Sequence, residues 1–179
     1  MAGTPLSQSA LAQRVEAKLV GWRLNRLRSA LRGPLVVVCA GALRPVAALW
    51  ARLHEAHGHP AWTVTPYDFI ERSMPQDTQV LILSRGGRHH DILAAVRHAH
   101  RLGCSVHAVV ESAKAPLVSI VRGDAPDNEL VVLAGASHLE DPAQTTRLVP
   151  TAVLAAALYT QSGPHAACFS VRAPQKSWY

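Results

Sequence analysis

The sequence lacks several features that would narrow its function. Its three cysteines, Cys39, Cys104 and Cys168, are far apart and form no C-x-x-C pair. That spacing argues against a structural zinc site and a disulfide framework, and it is typical of a reducing cytoplasm. The N-terminus has no apolar signal-peptide core, and the longest apolar run, residues 152–159, is far below the roughly 18 residues of a membrane helix. We therefore expect a cytoplasmic protein without a membrane segment.

Aromatic and acidic residues are scarce. Aromatic residues make up 5% of the chain while hydrophobic residues make up 49%, so the core must be mostly Ala, Leu and Val, and the chain is not disordered. Twelve acidic residues against 18 lysines and arginines give a formal net charge of +6. This balance suits a phosphorylated ligand or a nucleic acid, and we favour an ordinary soluble protein over a nucleic-acid surface.

Short apolar runs alternate with amphipathic helical patterns along the chain. The runs predict five strands, at residues 35–39, 61–65, 80–83, 105–110 and 129–133. Helices are predicted at residues 7–31, 45–57, 88–102, 115–120 and 141–160, and residues 66–73 are read as a loop or one or two helical turns. Such alternation predicts an α/β fold, a three-layer αβα sandwich with about five parallel strands, Rossmann- or flavodoxin-like.

The domain organisation follows from the same pattern. Residues 1–34 hold a basic amphipathic helix, residues 35–161 form a single α/β domain, and residues 162–179 have no clear period and are interpreted as a tail or docking arm. In such folds ligands bind at the carboxyl ends of the strands, where the strand order reverses. The loops after the strands are therefore the candidate site.

One of these loops has the character of an anion site. Residues 80–91, VLILSRGGRHHD, combine a buried strand, a glycine turn and the start of a helix. Glycines let the backbone approach a ligand closely, and the first N–H groups and dipole of a helix favour negative charge. The candidate binding residues in this loop are Ser84, Arg85, Gly86, Gly87, Arg88 and His89. Tight turns without a ligand remain the alternative, because no nucleotide-binding fingerprint is present.

Other candidates are weaker. The histidines at positions 54, 57 and 59 cluster, but no metal-ligand spacing supports a metal, and they are interpreted as polar surface residues. Glu111 and Glu140 each follow a strand, so either could be a general base or simply have a structural role. Cys39 ends a buried strand and is interpreted as a small core residue.

The loop and the helix after it resemble a known family. The stretch VLILSRGGRHHDILAAVRHAHRLGCSVHAVVES is similar to the central motif of the sugar isomerase (SIS) domain family, with Ser84, Gly87 and Asp91 in register. LVVVCAGALRPVAAL resembles that family's first strand and turn, which includes Gly41. EDPAQTTRLVPTAVLAAALY resembles a helix start of the aminosugar branch, with Glu140, Thr145, Thr146 and Arg147 in register. That branch includes the isomerase half of glucosamine-6-phosphate synthase and the ketosamine-phosphate deglycases.

The resemblance implies a protein that binds a phosphosugar or related carbohydrate derivative. Relatives isomerise or deaminate sugar phosphates and hold the phosphate with loop hydroxyls and amides. We expect no cofactor and no metal in this protein. The resemblance implies Gly41, Ser84 and Thr145 as ligand contacts and Glu140 as the base. This chain has Ala42, Leu43, Gly86 and His89 where the family has Ser or Thr. Cationic side chains at positions 85, 88, 89 and 90 could replace the missing donors.

The resemblance leaves the activity open. Aminosugar enzymes carry two such domains, whereas this chain has length for one, so a homodimer is expected to supply the partner surface, with His165 or Lys176 reaching across. The alternatives are a non-catalytic sensor and a dimerising scaffold with a degenerate site. Residues 1–34 are too short for the helix-turn-helix domain of the family's regulators, so a nucleic-acid partner is not favoured.

Overall fold

Five parallel strands form a single sheet in this computed structural model, which describes residues 22–75, 77–124, 128–133 and 149–160. The strands are β1 (Leu35–Cys39), β2 (Ala61–Val64), β3 (Gln79–Leu83), β4 (Val106–Val110) and β5 (Leu130–Val132). The helices are α1 (Trp22–Ala30), α2 (Arg44–Ala56), α3 (Pro66–Glu71), α4 (His90–Arg101), α5 (Pro116–Asp124) and α6 (Val149–Thr160). A 3-10 turn, Gly41–Leu43, lies between β1 and α2.

The sheet has the order β2-β1-β3-β4-β5. This is the flavodoxin-like arrangement, in which the strand order reverses between β1 and β3. Each neighbouring pair is parallel, with Val38 opposite Ile82 in the central β1–β3 pair. The predicted fold class is thus confirmed, and each predicted strand lies within one residue at each end of the observed one.

Both faces of the sheet are covered by helices. Along β1, Leu35, Val37 and Cys39 belong to one buried cluster, whereas Val36 and Val38 belong to another. The first cluster includes residues of α1, α2 and α6, and we call this side of the sheet the α2 face. The second includes residues of α3, α4 and α5, and we call it the α4 face. Strands buried on both sides explain the unbroken apolar runs in the sequence.

Helix α3 forms where the sequence pattern left a loop or short helical turns. Thr65 is its N-cap, because the Asp68 N–H donates to Thr65 Oγ1 at 3.1 Å, and Pro66 occupies the first turn. The Thr65 hydroxyl donates in turn to the Asp68 carboxylate at 2.7 Å and lowers the pKa of that carboxyl. The spacing of Thr65 and Asp68 is that of a capping box, a signal already present in the sequence.

The interpretation of the histidine cluster as surface residues is wrong for His54. Its side chain is buried, and its ring lies between α2, α6 and the turn before β1. Its Nε2–H donates to the Gly33 carbonyl at 2.8 Å, so Nδ1 of the neutral ring accepts from the Tyr159 hydroxyl at 2.7 Å. Burial lowers the pKa of His54 and raises that of Tyr159. The pair therefore fastens the last turn of α6 to the domain.

Helix α1 packs near the amino ends of the strands, which we call the amino edge of the sheet. Leu27 and Leu31 are buried in the core of the α2 face, and the Arg28 Nε–H donates to the Leu158 carbonyl at 2.9 Å. Arg26 lies 2.7 Å from the Glu129 carboxylate, just before β5. None of the described helices has both the length and the apolar character needed to cross a membrane.

Candidate ligand site at the carboxyl edge of the sheet

The carboxyl ends of β1 and β3 lie side by side where the strand order reverses. The turn Gly41–Leu43 follows β1, and residues 84–89 follow β3 and lead into α4. Glu111 follows β4 beside them. The predicted loop residues that follow β1 and β3 therefore lie together in one crevice. Open parallel sheets bind their ligands in such a crevice.

The backbone of residues 84–89 is held by its carbonyl groups. The Arg85 carbonyl accepts from the Glu111 N–H at 3.0 Å, and the Gly87 carbonyl accepts from the Leu117 N–H at 3.1 Å. The Ser84 N–H donates to the Val109 carbonyl at 3.1 Å. The loop is therefore fastened to β4 and to the start of α5 independently of its own exposed side chains.

Gly87 cannot be another residue without a shift in the structure. Its φ of +56° is left-handed, and a Cβ placed on it would lie 2.7 Å from Ala115 Cβ and 3.1 Å from Leu117 Cβ. At Gly86, by contrast, an added Cβ would meet nothing within 4 Å. The glycine that the packing requires is thus Gly87, and Gly86 leaves open space in front of the loop.

The loop's amide groups differ from its carbonyls. Of its N–H groups, that of Gly87 donates to Ser84 Oγ at 3.2 Å. Within the described part of the chain, no acceptor is found for the N–H groups of Gly86, Arg88 and His89. His89 is the N-cap of α4, so the last of these groups lies at the positive end of a 12-residue helix dipole. A set of bare N–H groups at such a position is able to receive an anion.

Basic residues are concentrated in this loop and at the start of α4. Arg85, Arg88, His89 and His90 are all exposed. The ring nitrogens of His89 and His90 each lie 3.7 Å from the carboxylate of Asp91, which is also exposed. Arg85 Nε lies 4.0 Å from the Glu111 carboxylate, whose side chain is only 14% exposed. The site therefore contains one largely buried carboxylate, with an exposed guanidinium group beside it.

Two hydroxyl groups reach the site, and one of them was not predicted. Ser84 and Thr151 are both buried and line a small cavity of about 10 Å³ together with Leu43, Glu111 and Leu133. That volume suits about one water molecule. Helix α2 holds the backbone of Thr151 in place, since the Trp50 indole N–H donates to the Thr151 carbonyl at 3.3 Å. Thr151 was missed because only the fold brings it next to Ser84.

The turn after β1, Gly41–Leu43, has no side-chain hydrogen-bond donor. Gly41 has a φ of +61°, and an added Cβ would meet nothing within 4 Å, so the glycine serves the turn itself. Leu43 lines the small cavity where the family resemblance implies a hydroxyl. Cys39, at the end of β1, is buried, and burial raises its pKa to about 11, which makes it a core thiol rather than a nucleophile.

Two predicted residues, Glu140 and Thr145, lie outside the described residues.

A larger concavity of about 540 Å³ lies at the opposite, amino edge of the sheet, between the segment before β3 and the end of α4. It contains none of the predicted site residues. The described residues contain no group of three or more His, Cys, Asp or Glu that could hold a metal ion.

Comparison with known proteins identifies the architecture. No protein-family model matches the sequence, and no curated protein matches it. Among solved structures, a candidate phosphosugar isomerase involved in capsule formation from Bacteroides fragilis is 17% identical with a TM-score of 0.69, over 84% of this chain and 83% of that one. An Escherichia coli CFT073 protein in complex with A5P is 16% identical with a TM-score of 0.60, over 86% and 87%.

A third solved structure has the same architecture. The Vibrio vulnificus NanR protein complexed with ManNAc-6P is 18% identical with a TM-score of 0.66, over 86% of this chain and 60% of that one. At these identities the likeness concerns the fold, and it agrees with the motifs read from the sequence. The chain has the fold of sugar isomerase domains.

Proposed function

We propose that this protein binds a sugar phosphate, or a related phosphorylated carbohydrate, at the carboxyl edge between β1 and β3. The observation that carries the proposal is the backbone of residues 84–89. The carbonyls of Arg85 and Gly87 are bonded to neighbouring elements, whereas the N–H groups of Gly86, Arg88 and His89 have no acceptor in the described chain. A phosphate would accept from these amides at the N-terminus of α4.

Charge compensates for the scarcity of hydroxyls in this site. Ser84 and Thr151 are the described hydroxyls at the cavity, while Arg85 and Arg88 are exposed at its rim. Charge-assisted hydrogen bonds are about twice as strong as neutral ones, so two guanidinium groups replace several hydroxyl donors. Related folds are known with A5P and with ManNAc-6P, which supports a phosphorylated sugar as the ligand class.

Thermal-shift measurements test ligand binding. Hexose, hexosamine and heptose phosphates are compared with the unphosphorylated sugars and with inorganic phosphate. A ligand at a hundred times its Kd adds about 2.7 kcal/mol to stability. We expect a shift with at least one sugar phosphate and a smaller one with phosphate alone. If no phosphorylated sugar shifts the transition, the scaffold alternative is favoured.

Matched arginine variants locate the site. Arg88→Ala removes a cation beside the loop and should weaken sugar-phosphate binding about tenfold or more, the size of a lost charge-assisted contact. Arg97→Ala removes an equally exposed arginine further along α4 and should leave the affinity unchanged. Equal effects in the two variants would mean that general charge, not this loop, attracts the ligand.

An isomerase or deaminase acting on a sugar phosphate needs a base. Glu140 is the proposed base for moving a proton between adjacent sugar carbons, and Thr145 a proposed ligand contact, on the strength of the motif resemblance. A non-catalytic sensor is the second candidate. The observation in its favour concerns Glu111, the largely buried carboxylate of the described site. Because the Arg85 guanidinium lies beside this carboxylate, Glu111 is not a free base. If the protein binds a sugar phosphate without converting it, and Glu140→Gln leaves the affinity unchanged, the sensor is the correct assignment.

We further propose a cytoplasmic homodimer. The free thiols of Cys39 and Cys104 agree with a reducing compartment. A second copy would supply the surface that enzymes with two such domains carry in one chain. Light scattering at several protein concentrations tests the dimer, and a monomer at all concentrations would exclude it.

A further inference from the structure

The lateral edge of the sheet along β2 is open. Among the described strands, β2 pairs with β1 alone, so its outer N–H and C=O groups face away from the sheet. The strand consists of Ala61, Trp62, Thr63 and Val64, which carry no charge, and Trp62 is 42% exposed. Natural edge strands are usually protected by charge, proline or a covering segment, and within β2 neither of the first two is found.

The end of α6 lies beside the start of this strand. The Tyr159 ring centroid is 5.2 Å from that of His57, and its hydroxyl is 2.7 Å from His54 Nδ1. His59 and Pro60 then lead directly into β2. The chain that follows Thr160 therefore leaves the helix at the amino end of the open edge.

Handedness selects the same edge. The connections β2–α3–β3, β3–α4–β4 and β4–α5–β5 run in one direction across the sheet, with their helices on the α4 face. The connection β1–α2–β2 runs in the opposite direction, with its helix on the α2 face. Helix α6 is also on the α2 face, so a parallel strand after it gives a right-handed crossover only towards the β2 side. The outer edge of β2 is the position on that side.

The sequence after α6 contains a segment that fits. Residues 167–171, Ala-Cys-Phe-Ser-Val, carry no charge, glycine or proline and contain β-favouring side chains, and Pro164 and Arg172 bound them. Residues 161–166 span up to about 20 Å when extended, enough to reach the start of β2 from the end of α6.

We propose that residues 167–171 dock along the outer edge of β2 as a sixth parallel strand. Side chains alternate between the two faces of a sheet. Thr63 is opposite Val37 on the α2 face, and Trp62 is opposite Val36 on the α4 face. Phe169 packs against Trp62 on the α4 face, and Cys168 lies beside Thr63 on the α2 face. The C-terminal arm thus covers both the open backbone and the exposed indole.

Disulfide trapping tests this register with the native Cys168. In a Cys104→Ser background, Thr63→Cys and Trp62→Cys are oxidised separately, with Tyr67→Cys on the exposed start of α3 as the off-edge control. Neighbouring strands bring Cα atoms within disulfide range. Thr63→Cys should form a bond with Cys168 within one chain, at least tenfold faster than either other variant. Equal rates in all three, or no bond with Thr63→Cys, overturns the proposal. A bond between two chains overturns it too and assigns the edge to a second copy.

Hydrogen exchange provides a second measurement that needs no cysteine. In this register the N–H of Phe169 faces the Thr63 carbonyl, so Phe169→Pro removes a ladder N–H from the arm, and Phe169→Ala is the matched control. Amides of β2 should lose about tenfold protection in the proline variant alone. The proposal is wrong if β2 exchanges at the same rate in both variants.

Discussion

The two edges of the sheet use histidine in opposite ways. At the amino edge, His54 and His107 are buried, and both ring nitrogens of each are hydrogen bonded. At the carboxyl edge, His89 and His90 are exposed beside a bare set of amides. The amino edge holds elements together, whereas the carboxyl edge keeps polar groups available.

The contrast extends to the ion pairs. Arg26 lies 2.7 Å from Glu129 at the amino edge and joins α1 to the start of β5. Arg85 is 4.0 Å from Glu111 at the carboxyl edge, a long contact between the loops after β3 and β4. Residue type alone therefore says little about function in this chain, and what separates the two edges is burial and the number of satisfied bonds.

Gly87→Ala should cause the largest loss of stability among these variants. It tests whether packing alone holds the loop at the carboxyl edge in its conformation. The left-handed φ and the 2.7 Å approach to Ala115 together should cost about 3 kcal/mol of unfolding free energy. Gly86→Ala is the control, because its Cβ meets open space, and should change stability by less than about 0.5 kcal/mol. Urea denaturation measures both. Similar losses in the two variants would mean that the loop tolerates residue 87 better than its geometry indicates.

Tyr159→Phe tests the fastening at the amino edge. It leaves the buried Nδ1 of His54 without its 2.7 Å partner, which should destabilise the protein by about 2 kcal/mol. Tyr67→Phe, at a tyrosine that is 71% exposed, should be neutral. Urea denaturation of both proteins compares them, and a neutral Tyr159→Phe would show that α6 is held without this bond.

The pH dependence of stability should single out His54. Its folded pKa is lowered from 6.5 by burial, so the unfolded chain takes up a proton first as the pH falls. The contribution of neutral His54 to stability is complete above pH 6.5 and declines as the pH falls below it. His54→Asn should lose this part of the slope, and His59→Asn, at an exposed residue, should keep it. Denaturation at several pH values compares them; equal slopes in the two variants would contradict the assignment.

Arg85→Gln should have the smallest effect on stability. The side chain is 46% exposed and its contact with Glu111 is long, so unfolding free energy should change by less than about 0.5 kcal/mol. Sugar-phosphate affinity should nevertheless fall severalfold if the rim cations bind the ligand. Calorimetric titration together with urea denaturation separates the two quantities, and a loss of stability without a loss of affinity would make Arg85 a structural residue.

The fold was largely predictable because its signals are local. The run at residues 35–39 is apolar at every position, and a strand buried on both faces needs that. The interpretation of residues 66–73 as loop or helical turns shows the limit. Thr65 and Asp68 cap a real helix there, but the helix has only six residues, so its period is hard to detect.

The site was predictable only in part. The sequence shows the loop at residues 84–90, since strand, glycines and helix start are contiguous. Thr151 and the burial of His54 depend on contacts between residues about a hundred positions apart, including the 101-residue separation of Trp50 and Thr151. A single sequence shows no such pairing, and therefore the histidines at positions 54, 57 and 59 were interpreted as surface residues.

The anchoring of Gly87 has a consequence for how such a site changes over evolutionary time. The loop takes its shape from the fit of Gly87 against Ala115 and from carbonyls bonded to β4 and α5, not from the side chains that face solvent. If the loop binds the proposed ligand, mutations at positions 85, 86, 88 and 89 can therefore change ligand preference with little loss of stability. Ligand preference and foldability are then free to evolve separately, and a new specificity can be selected on an unchanged backbone.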